Sequence, residues 1–172
     1  DYLDEWGYCK SDIKAFGGAT AQSWFARFEN DITSDCDTFF IALGLNNVNS
    51  TEGAINDTAG ADTYVGGMKS ILNKIITTNP KARIIIFMMD SWMNTHVSSL
   101  GQELASMYGC EFYSMKANAN IPVRLNGKFD GVMNLTQTVI DAKDTAYRIS
   151  EQDGHPNVNA QKMLASYLRN II

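Results

Sequence analysis

Two short apolar runs, Thr38 to Gly44 (TFFIALG) and Arg83 to Asp90 (RIIIFMMD), constrain this chain more than any other feature. Each is continuous, rich in Ile and Phe, and too short for a helix, so each reads as a strand buried on both faces. Between them Tyr64, Met68, Ile71, Leu72, Ile75 and Ile76 recur at helical spacing, and Pro80 closes the pattern. Strand, helix, strand in that order is a β-α-β unit, which requires a parallel pair of strands. Further helices are predicted in AQSWFARFENDI, in NTHVSSLGQELASMYG with Gly109 as its stop, and in NVNAQKMLASYLRNII, capped by Asn157 or Asn159. Shorter strands fit DIKAF before Gly17 and CEFYSM after Gly109. The alternation predicts a three-layer α/β/α domain with a mostly parallel, flavodoxin-like sheet spanning residues 1–172. Residues 116–150 keep the pattern poorly and read as an elaborated loop, with a short helix over LTQTVIDAKD.

Composition narrows what such a domain can meet. The 14 Lys and Arg are outnumbered by 19 Asp and Glu, for a net charge of -5. With no basic cluster, the surface repels phosphate backbones, so nucleic acid is not an expected partner. No apolar run is long enough to cross a bilayer as a helix. Three scattered cysteines, Cys9, Cys36 and Cys110, are odd in number and read as small buried hydrophobes. With only two histidines in the chain, no closely spaced ligand set suggests a structural metal. The sequence sets no oligomeric state.

In an open parallel sheet, ligands bind beyond the carboxyl ends of the strands, so chemistry is sought where the chain leaves them. Four such segments are polar or glycine-rich: GGATAQSW, GLNNVN, DSWMN and DGHPN. Gly18 can bring a backbone N–H close to a substrate, and Asn46 offers a side-chain N–H donor. Together they could form an oxyanion hole, to which His155 would add a general base. His155 is followed by Pro156 immediately before the last predicted helix, whereas His96 reads as a surface or capping residue.

Taken in order, FGGATAQSW, LGLNNVN and DGHPN resemble the Gly block, the G-x-N-D block and the final H-P block of the SGNH, or GDSL, hydrolases. The resemblance covers nearly the whole chain. It implies hydrolysis of carboxylic esters by a serine mechanism, with Gly18 and Asn46 as oxyanion donors, His155 as base and Asp153 or Gln152 orienting its imidazole. Asn47, Asp90, Ser91 and Trp92 would line the substrate pocket. It implies no metal or organic cofactor, a small-molecule or glycan ester as substrate, an acetylated carbohydrate being the preferred class, and a secreted or cell-surface location.

Three departures accompany the resemblance. The G-D-S block and its strand are absent from these residues, which suggests an N-terminally truncated chain, inactive alone, whose nucleophile lies upstream. A gap is then expected between the DIKAF and TFFIAL strands. Asn47 stands where the family usually has Asp. Gln152 stands three residues before His155, with Asp153 the nearest carboxylate. A neutral orienter lowers turnover by roughly 10⁴ in one well-studied triad, so an inactive carbohydrate-binding or tail-associated module is the alternative. Ser91 follows a strand but in the wrong order for the family. Ser23 is expected to face outward from a helix, and Cys36 to lie at the wrong end of the sheet.

Overall fold

The computed structural model describes residues 12–47, 51–89, 95–114 and 157–171. The chain divides into two compact units, Lys14–Ser114 and a second made of Asp1–Ile13 with Met115–Ile172. The first holds helix α1 (Ala21–Phe28), strand β1 (Thr38–Ile41), helix α2 (Tyr64–Thr78), strand β2 (Arg83–Met88), helix α3 (Thr95–Tyr108) and strand β3 (Glu111–Ser114). The described element of the second is helix α4 (Val158–Leu168). Its N-cap is Asn157, whose side chain accepts from the N–H groups of Asn159 and Ala160.

The three strands form one parallel sheet in the order β1, β2, β3, as the β-α-β pattern predicts. Register pairs Phe39 with Ile84 and Ile41 with Ile86, then Ile86 with Phe112 and Met88 with Ser114. One sheet face carries Ile41, Ile84, Ile86 and Met88 into a core with Tyr64, Met68, Ile71 and Leu72 of α2 and Val97 and Leu104 of α3. Each fully buried Ile or Leu there contributes about 1.5–3 kcal/mol. On the opposite face Phe40 stacks on Phe87 at 5.4 Å between ring centroids, and Ile85 and Phe87 are equally buried. Burial on both faces explains why these strands are unbroken apolar runs. At the start of the sheet Arg83 bonds Glu111 through two nitrogens, at 2.5 and 2.8 Å, which ties β2 to β3. Those bonds hold the Glu111 carboxyl below the usual carboxylate range.

Residues 12–16 are not a strand, contrary to the expectation from DIKAF. The reason lies in α1. The Trp24 indole donates to the Lys14 carbonyl at 2.7 Å, Phe16 packs on Phe28, and the Arg27 guanidinium lies 4.9 Å over the Phe16 ring. The segment spends its polar and aromatic groups on the helix rather than on a ladder. Among the described residues, no strand pairs with the outer edge of β1. Cys36 and Cys110 are half-buried rather than fully enclosed.

Candidate oxyanion site

The chain leaves β1 through a sharp bend at Gly44, whose φ of 122° lies in the region that favours glycine. A Cβ there would sit 3.0 Å from Val97 Cγ1 and 3.2 Å from Tyr64 Cε2, so the bend also requires the missing side chain. A short 3-10 turn, Leu45–Asn47, follows and presents Asn46 to solvent while burying Asn47. On the other side, Gly17 and Gly18 turn the chain into α1, with Gly18 at φ 75° and exposed. Ala19 closes that turn by donating to the Phe16 carbonyl, and Thr20 caps the helix.

These two segments are stitched together by side-chain amides. Asn46 Nδ2 donates to the Ala19 carbonyl at 3.0 Å. One of its two protons is used there, leaving the other available at an exposed position. The Gly18 N–H makes no hydrogen bond among the described residues. An available backbone donor and an available amide proton therefore flank Ala19 beyond the carboxyl end of β1, which is the donor chemistry that an oxyanion hole needs.

Asn47 does something different from the substrate contact expected of it. It is completely buried, its Oδ1 accepts from the Ala21 N–H at 3.0 Å, and its Nδ2 donates to Gln22 Oε1 at 2.9 Å. Both ends of its amide serve the first turn of α1, so it holds the site rather than a ligand. Ser23, expected to face outward, is the reciprocal partner of Thr20 in a capping box: each side chain accepts the other's backbone N–H. His96 lies in the first turn of α3 in an exposed position, 3.7 Å from the Glu52 carboxylate. His155, Asp153, Gln152, Asp90, Ser91 and Trp92 lie outside the described residues.

Two features escaped the sequence reading. Gln22 appeared only as one polar residue on a helix. Gly66 and Gly67 sit inside α2, where each costs about 1 kcal/mol relative to Ala, and that cost was the available signal. A Cβ at Gly67 would lie 2.6 Å from the Gln22 nitrogen and 2.7 Å from the Ala21 carbonyl carbon, and one at Gly66 would overlap the Ala61 carbonyl. Gly67 lets α2 approach the backbone of α1 where the site is held, and Gly66 lets it approach Ala61.

No family model matches the chain, and no curated protein matches it significantly. Solved structures do. A protein from Lactobacillus plantarum superposes with a TM-score of 0.74 at 16% identity, over 98% of this chain and 83% of that one. A protein from Chitinophaga pinensis, described as a possible lipase, superposes with a TM-score of 0.67 at 14% identity, over 98% of this chain and 84% of that one. At such identities the likeness establishes a shared α/β fold.

Proposed function

We propose that the chain carries the oxyanion hole and base of a serine-type ester hydrolase of the SGNH kind. The observation that supports this best is the pairing of an unbonded Gly18 N–H with the half-used Asn46 amide, joined through Ala19. The fold shared with a protein described as a possible lipase points the same way. In this reading a serine outside the 172 residues attacks the acyl carbon and His155 takes its proton. His155 returns that proton to the leaving alcohol, while Asp153 or Gln152 orients the imidazole. Gly18 and Asn46 hold the tetrahedral oxyanion, each donor contributing about 3 kcal/mol. A small acyl group, acetyl on a glycan foremost, is the proposed substrate class.

Asn47, standing where the family usually has Asp, does not by itself argue for a module that has lost its chemistry, because its side chain is engaged in holding α1. The test is covalent labelling of the full-length protein by a fluorophosphonate, together with turnover of an aryl acetate. Both should be present in the wild type, and turnover should vanish in His155→Ala. Unchanged turnover in that variant would remove His155 from the mechanism.

A further inference from the structure

We infer that Gln22 and Asn47 act as a coupled positioning pair that sets the two oxyanion donors in one rigid frame; its catalytic consequence rests on the ester-hydrolase reading above. Consecutive residues reach the segment that follows the Gly18 turn. Asn46 bonds the Ala19 carbonyl, while Asn47 bonds the Ala21 N–H and the Gln22 side chain. Asn46 therefore cannot shift without carrying the segment that follows Gly18. The frame has further supports: the Asn47 N–H donates to the Gly44 carbonyl at 3.0 Å, and the Gln22 backbone is pressed by Gly67.

The chemistry of the pair couples the two residue types. Asn47 Nδ2 donates to Gln22 Oε1, so residue 47 must supply a donor as long as Gln22 presents its oxygen. An Asp at 47 could still accept from Ala21, but it would face another acceptor unless the Gln22 amide turned over to donate its own N–H. A Glu at 22 could accept from Asn47 unaided. Either single exchange keeps one donor between the two side chains, whereas both together leave two carboxylates face to face at a buried site.

Four variants test this: Asn47→Ala, Asn47→Asp, Gln22→Glu and the double Asn47→Asp/Gln22→Glu. In proton–nitrogen correlation spectra, the Gly18 backbone amide and the Asn46 side-chain amide should move in Asn47→Ala and in the double variant. They should stay near their wild-type positions in the two conservative singles. The double variant should recover as pH falls, because a proton shared between the carboxylates restores the missing donor. In aryl acetate turnover by the full-length protein, kcat should fall by about 10²-fold in Asn47→Ala and the double variant. KM should stay within about twofold, as a donor acting only on the transition state requires. If Asn47→Ala does not fold, Gln22→Ala takes its place, removing only the half-buried partner. Unmoved resonances in the Ala variant, or a double variant no worse than its singles, would overturn the proposal. If the spectra follow the predicted order while the wild type turns over no ester, the pairing stands and the hydrolase reading falls.

Discussion

Asn46 Nδ2 lies 3.0 Å from the carbonyl oxygen of Ala19, a bond that joins the end of the first strand to the turn before the first helix across 27 residues of sequence. It spends one amide proton on the fold and leaves the other unbonded among the described residues. The glycines on either side of it differ in a measurable way. Gly18 has φ 75° with open space where a methyl group would stand, whereas Gly44 has φ 122° with Val97 and Tyr64 at 3.0 and 3.2 Å. Gly18→Ala should therefore lose only the left-handed strain, about 1–2 kcal/mol in urea unfolding. Gly44→Ala should lose more, adding an overpacking cost of about 1–3 kcal/mol to the strain. Equal losses would contradict this account of the bend.

Gly67→Ala sets helix propensity against packing. The substitution gains about 1 kcal/mol of propensity in a helix interior. Its Cβ would meet backbone atoms of Ala21 and Gln22 at 2.6 to 2.7 Å, and backbone cannot swing aside as a side-chain tip can. The overlap should prevail, giving a net destabilisation of about 1 kcal/mol or more. Thermal unfolding with a raised midpoint would show that α1 and α2 are not in such close contact.

Lys69 is nearly buried and donates its ammonium to the carbonyls of Ile55 and Asp57 at 2.6 and 2.7 Å, fastening residues 51–63 to α2. Lys69→Met should cost about 1–3 kcal/mol through the carbonyls left unbonded. Limited proteolysis should then cut within 51–63 much faster than in the wild type. An unchanged cleavage pattern would mean the segment holds without the lysine.

Burial pushes the Cys110 thiol up to about 11. A free thiol ionises near 8.5, so alkylation of Cys110 by iodoacetamide at pH 8 should run about 10²-fold slower than for a free thiol. Because the folded value is raised, the unfolded chain ionises first. The associated stability is intact below the free-thiol value and is lost as pH rises toward about 11. A mass-spectrometric rate profile with a midpoint near the free-thiol value of about 8.5 would show that half-burial does not hold this thiol protonated.

The strands β1 and β2 and the helices α2 and α3 were legible because burial on both sheet faces and helical periodicity leave unmistakable patterns in Phe39, Ile84 to Phe87 and Tyr64 to Ile75. The exposed Asn46 was legible because polar residues follow an apolar run where β1 ends, and the turn at Gly18 because two successive glycines precede a helix. DIKAF misled because its alternation is satisfied equally well by packing Phe16 on α1. The work of Asn47 was hidden for a related reason: its partners, Ala21 and Gln22, lie 26 and 25 residues away, and no local pattern announces such bonds.

If Asn46 holds the oxyanion as proposed, its side chain acts on the transition state alone, and kcat and KM for aryl acetate hydrolysis by full-length Asn46→Ala measure that effect. A fall in kcat of about 10²–10³-fold with KM little changed is expected. A kcat equal to that of the wild type, in a variant shown by its spectra to be folded, would contradict it.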